Sequence, residues 1–110
     1  MKLVFGSEKW LSQDTRLIKR GYRAEPGEAS SESFIFALQY LWFHEGKWLE
    51  VARIDNYPHE SKRTGAHIHK FGSDFVEFRE MSFTEAAECI ISVGESIKKK
   101  ILLGDYNGED

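Results

Sequence analysis

From Phe34 to Phe43 the chain alternates with a period of two. Phe34, Phe36, Leu38, Tyr40 and Trp42 fall on one side, and Ile35, Ala37, Gln39, Leu41 and Phe43 on the other. That spacing predicts a long strand with one bulky aromatic face. His44-Glu45-Gly46-Lys47 supplies a turn and Trp48 to Asp55 runs back, so 33–55 reads as a β-hairpin. Ahead of it, Leu3, Val4 and Phe5 before Gly6-Ser7 predict a short strand over 2–5. The stretch 8–23 mixes Arg16, Lys19, Arg20 and Arg23 with Leu17, Ile18 and Tyr22, and a strand over 15–23 suits it best. Glu25-Pro26-Gly27-Glu28-Ala29-Ser30-Ser31 reads as a loop.

After the hairpin, 56–66 is a long connection for a small domain, and long ordered loops are often functional. His67–Phe71 and Phe75–Phe78 then predict two short strands around Gly72-Ser73-Asp74. From Ser82 the period becomes helical. Ser82-Phe83-Thr84-Glu85 has the form of a capping box. Phe83, Ala86, Ala87, Ile90, Gly94, Ile97 and Ile101 make one apolar stripe, with Glu85, Glu88, Ser92, Glu95 and Lys99 facing away. Lys98-Lys99-Lys100 complements the helix dipole, and Gly104 suits a stop. The expected fold class is therefore α+β: a mainly antiparallel sheet of four to six strands, with a C-terminal amphipathic helix on its aromatic face.

At 110 residues, with 41% hydrophobic and 14% aromatic content, the chain is expected to form a single packed domain over 1–110. A net charge of −3 demands neither nucleic acid nor a membrane as partner. The lone Cys89 excludes an internal disulfide and reads as a packed, inert thiol. With no signal peptide and no apolar run of bilayer length, the expectation is a cytoplasmic protein without a membrane partner.

Candidate chemistry gathers between residues 53 and 70. Arg53 and Asp55, two apart on a strand, share a face, and so do His67 and His69, with Cα atoms about 6.6 Å apart. Two imidazoles at that separation suit acid and base roles around a scissile bond, or ligation of one metal ion. Arg53 can hold a phosphate through its two-pronged guanidinium while Asp55 orients a histidine. His59, Lys62 and Arg63 make the intervening loop attractive to anions, and they are read as substrate-binding together with Asn56. Asn56 also suits the turn that ends a strand. Arg16, Lys19, Arg20 and Arg23 read either as a solvated face or as a second basic strip. His44, at the hairpin turn, is assigned no role.

A strand–turn–strand ending in Arg53-x-Asp55-Asn56, then Pro58-His59, then His67-x-His69, resembles the TumE-like proteins. These are small toxin partners of toxin–antitoxin operons, and the likeness covers residues 33 to 102. The chain differs in having Ile54 between Arg and Asp, Glu60 after the first histidine and Ala66 ahead of the second histidine pair. The resemblance implies a toxin context, with an antitoxin protein as partner. The leading expectation is a ribonuclease-type activity on RNA, metal-free, with His67 and His69 as acid and base beside Arg53 and Asp55. One alternative is a metal site of Asp55, His59, His67 and His69 suited to Zn²⁺ or Mn²⁺. Another is a non-catalytic domain that docks a protein partner. A homodimer through an exposed edge strand is a further expectation. The sequence leaves the cofactor unassigned.

Overall fold

The computed structural model describes residues 2–25, 34–57 and 65–107. Six strands, β1 (Lys2–Ser12), β2 (Thr15–Arg23), β3 (Phe34–His44), β4 (Lys47–Asp55), β5 (Ala66–Lys70) and β6 (Val76–Arg79), precede one helix, α1 (Phe83–Leu103). They form a single sheet in chain order, and each strand runs antiparallel to the next. The helix packs across β3 and β4, which makes the fold α+β.

The alternation in β3 sets the two faces. Phe36, Leu38, Tyr40 and Trp42 are buried on the helix side with Leu17 of β2, Ile54 of β4, and Ala66 and Ile68 of β5. From the helix come Ala86, Ile90 and Ile97. Phe83, in the first turn, meets the rings of Phe5, Phe34 and Phe36 edge-on, at 5.4, 6.0 and 5.7 Å. Gly94 lets the helix lie close, because a Cβ there would come within 2.4 Å of the Tyr40 ring. The hairpin turn places both central residues at positive φ, Glu45 at 52° and Gly46 at 81°. That conformation matches the right-handed twist of the flanking strands.

Both helix ends are closed as their residues require. The Ser82 side chain accepts from the Glu85 amide and Glu85 accepts in return from Ser82 N–H, each at 3.1 Å. Gly104 ends the helix in the left-handed region at φ 76°. A polar tie joins the helix to the β1–β2 turn. Lys98 Nζ donates to Thr15 Oγ1 at 2.8 Å and to Asp14 Oδ1 at 3.3 Å, while Trp42 Nε1 donates to Asp14 Oδ2 at 3.3 Å. Hydrogen bonds from Ser12 and Thr15, then from Trp42 and Lys98, hold the Asp14 carboxyl well below the usual carboxylate range. Nearby, burial and the Glu95 carboxylate push the Tyr40 hydroxyl well above its ordinary value.

Three strands differ in extent from expectation, and one open reading is decided. β1 extends to Ser12 instead of stopping near Phe5, and it pairs with β2 along that whole length. Most of its side chains are exposed, so no buried face imposed an alternation that could be read. β5 and β6 are each shifted one residue, to Ala66–Lys70 and Val76–Arg79, and Phe75 stays largely exposed. The four basic residues of β2 do not form one strip. Arg16 and Arg20 lie opposite Leu41 and Ala37 on the open face, whereas Lys19 and Arg23 lie opposite Leu38 and Phe34 on the helix side. The loop readings over 26–31 and 58–64 fall outside the described residues.

Candidate functional site

β4 and β5 pair so that Arg53 lies opposite His69 and Asp55 opposite His67. Residues two apart on a strand share a face, as do directly opposed partners, so all four side chains stand together. Ile54 and Ile68, between them, point into the core under the helix. The polar group therefore occupies the opposite face of the sheet, away from the helix.

Asp55 is the centre. Its Oδ1 lies 3.4 Å from His67 Nδ1 and accepts from the Tyr57 backbone N–H at 3.2 Å. Its Oδ2 lies 3.3 Å from Arg53 Nε and 3.6 Å from His69 Nε2. One atom from each of Asp55, His67 and His69 fits within a group whose members are no more than 4.8 Å apart. The two imidazoles are steeply inclined, at 79° with centroids 6.5 Å apart, and the His67 ring packs on Phe78 at 4.7 Å. Phe78 is the β6 residue opposite His67.

Exposure divides the group in two. The His67 side chain has 0% of its surface exposed and Asp55 5%, whereas His69 has 23% and Arg53 40%. A fully enclosed imidazole can contact an ion or a neighbouring side chain, but not a polymer's scissile bond. The acid and base roles expected of the two histidines therefore do not fall on equivalent groups. Only His69 and Arg53 reach outward, and His67 acts through what it touches inside.

A bulge enlarges the site. Between Glu50, opposite Leu41, and Ala52, opposite Tyr40, Val51 is an extra residue in the ladder. It shifts the alternation, so Glu50 and Arg53 share the open face, with Glu50 Oε1 3.6 Å from Arg53 Nη1. Gln39 Nε2 donates to Glu50 Oε2 at 2.8 Å. Arg53 is thus held between two carboxylates. Glu50 was not legible as a neighbour, because strict alternation assigns it to the other face.

Asn56 has different work. Its Oδ1 accepts from Phe36 N–H at 2.7 Å, its Nδ2 donates to the Phe34 carbonyl at 3.0 Å, and its own N–H donates to the Phe36 carbonyl at 3.2 Å. Both polar groups of the side chain are engaged by β3, and the residue is buried. In place of the expected substrate contact, the structure gives Asn56 the part of a clamp prolonging the β3–β4 ladder. The neighbouring Tyr57 ring packs near Tyr22, centroids 6.0 Å apart. Burial, then the Tyr22 hydrogen bond and the nearby Asp55 charge, push its hydroxyl up to about 12. His59, Lys62 and Arg63, expected to bind substrate, lie outside the described residues.

Elsewhere on the open face, Arg16 stacks over Trp48 at 4.1 Å and pairs with Glu8 at 3.3 Å, within a group that includes Trp10 and Phe43. Its guanidinium is engaged within the sheet surface. His44 stacks on Trp42 at 4.0 Å, a packing role. Among the described residues no helix is long and apolar enough to cross a membrane. Searches against protein-family models, curated proteins and solved structures returned no match to the chain. The likeness to TumE-like toxins accordingly rests on the motif residues alone.

Proposed function

We propose that this chain is a small, toxin-like protein of the cytoplasm that acts on the phosphodiester backbone of RNA, with an antitoxin protein as its cellular partner. One observation carries the chemical part. Arg53 and His69, opposed across two strands and both reaching the surface, converge on the same oxygen of a buried carboxylate. A guanidinium and an imidazole so placed suit an anionic ester. Arg53 takes the non-bridging oxygens and stabilises the charge that grows on them, and the imidazole side serves the attacking oxygen. Asp55 fixes the direction of both, and His67 stands behind it. The toxin context comes from the Arg53-x-Asp55-Asn56 and His67-x-His69 motif. A homodimer through an edge strand, β1 or β6, belongs to the same reading.

The test pairs growth of cells expressing the chain with cleavage of RNA by the purified protein. Arg53→Ala is expected to lower cleavage by about 10²–10³-fold, the effect of removing one donor to a developing oxyanion. His69→Ala is expected to abolish both cleavage and growth inhibition while the far-ultraviolet circular dichroism stays that of the wild type. Full activity in both variants would rule the site out. Absence of RNA cleavage by a wild-type chain that still captures a protein partner would instead favour the non-catalytic docking domain.

A further inference from the structure

We infer that Asp55, His67 and His69 form a binding site for one divalent transition-metal ion, with Zn²⁺ the best match to the donor set. Two imidazole nitrogens and one carboxylate oxygen are the three protein ligands of an open zinc site, whose fourth position is left to water or substrate. The spacing fits. Bonds of ~2.0–2.1 Å in tetrahedral geometry place neighbouring ligand atoms roughly 3.3 Å apart. Each carboxylate oxygen already stands near one imidazole, Oδ1 3.4 Å from His67 Nδ1 and Oδ2 3.6 Å from His69 Nε2. One ligand atom from each residue lies within 4.8 Å of the others, so side-chain adjustment of about 1.5 Å or less brings the set to tetrahedral spacing.

The surroundings are built to hold these atoms still. β5 is paired on both sides, by β4 and β6, so the two histidines project from a fixed backbone. Phe78 packs on His67, and the Tyr57 N–H holds one oxygen of Asp55. Metal ligands depend on such outer contacts for orientation. Burial adds a second, independent reason. An imidazole with no exposed surface gains little as an acid–base group for a bulky substrate, yet it is well placed to ligate an ion, which needs only a small opening.

Arg53, 3.3 Å from Asp55 Oδ2 and open to solvent, would stand at the rim of the ion's free position. There the ion would take over the attacking-oxygen role given above to the imidazole: its bound water, acidified towards pH 7, would supply the hydroxyl while Arg53 holds the phosphate. This last part rests on the RNA reading. Ion binding itself does not.

The full chain, stripped with chelator and dialysed, is titrated with Zn²⁺ by calorimetry and with Co²⁺ by visible absorption. One ion per chain is expected, with ligand-field bands of tetrahedral cobalt. His69→Ala alters a partly exposed residue, so folding should survive. It is expected to weaken binding by at least the ~10–100-fold that loss of an outer-shell partner costs. Asp55→Asn, nearly isosteric, should do the same, and His44→Ala, remote from the site, should leave affinity unchanged. Absence of binding by the wild type, or undiminished wild-type affinity in both His69→Ala and Asp55→Asn, would overturn the metal site. A chain that binds no ion yet cleaves RNA overturns it while sparing the RNA reading. Stoichiometric, His69-dependent binding without cleavage supports it and sinks the RNA reading instead.

Discussion

The ring of Tyr40 fills the space that a side chain on Gly94 would need, since a Cβ there would sit 2.4 Å from the ring. Gly94→Ala gains roughly 1 kcal/mol of helix propensity. It also forces a methyl group into a packed contact, and overpacking of that kind costs about 1–3 kcal/mol. A lower urea midpoint is therefore expected, and a higher one would mean that the helix lifts off without penalty. In a double-mutant cycle with Tyr40→Leu the two changes should couple by more than about 0.5 kcal/mol, as residues in contact do.

Asn56→Ala removes both side-chain hydrogen bonds to the start of β3. The Phe36 N–H and the Phe34 carbonyl lose their partner in a partly buried setting, and each orphaned group costs about 1–3 kcal/mol. Asn56→Asp keeps the acceptor for Phe36 N–H but sets a second carboxylate oxygen against the Phe34 carbonyl, so it should rescue little. Chemical denaturation of the two variants measures this, and wild-type stability in either would remove the clamp role.

The lowered pKa of Asp14 makes part of the stability pH-dependent. For a carboxylate depressed on folding, the contribution is complete above the ordinary aspartate range, near ~3.9, and fades as pH falls towards the folded value. Asp14→Asn should thus be less stable than wild type at pH 7, with the difference shrinking below about pH 4. The side chain is about half exposed, so solvent screening keeps the effect within about 1 kcal/mol. Parallel melts across pH 3–7 test this, and a gap that widens on acidification would contradict it.

Glu45 occupies a position with φ 52°, a conformation that costs an ordinary L-residue energy. Asn-Gly is the preferred pair for such a turn. Glu45→Asn is expected to raise stability by about 0.5 kcal/mol or somewhat more, in line with turn and cap optimisation elsewhere. Thermal unfolding at neutral pH reads it, and a lower melting temperature would show that the Glu45 side chain, 3.7 Å from His44 Nε2, matters more than its backbone.

Much of this fold was legible where one face is buried and the other is not. The aromatic alternation of β3, the capping box at Ser82 and the stripe through Ala86, Ile90, Gly94 and Ile97 each reflect contact with one core. β1 was legible only at its start, because a strand exposed on both faces is held by its ladder to β2 and carries no period. In the site, the like-facing pairs Arg53/Asp55 and His67/His69 could be read from spacing alone. Their convergence depends on how β5 registers on β4, which the length of the intervening connection does not fix. The Val51 bulge and the enclosure of His67 are likewise products of tertiary packing, with no local signature.

The pairing of Ile54 with Ile68 beneath the site has a consequence for how the site can fail. Because side chains alternate, a slip of β5 by one residue would turn both histidines towards the helix and expose Ile68. Two apolar residues that take no part in any chemistry thus hold the polar group in frame. Substitutions among the four polar residues can alter what the site does without disturbing where it is. Substitutions at Ile54 or Ile68 put its very existence at stake, and loss of function at those two positions would report a mis-set sheet instead of a missing catalytic group.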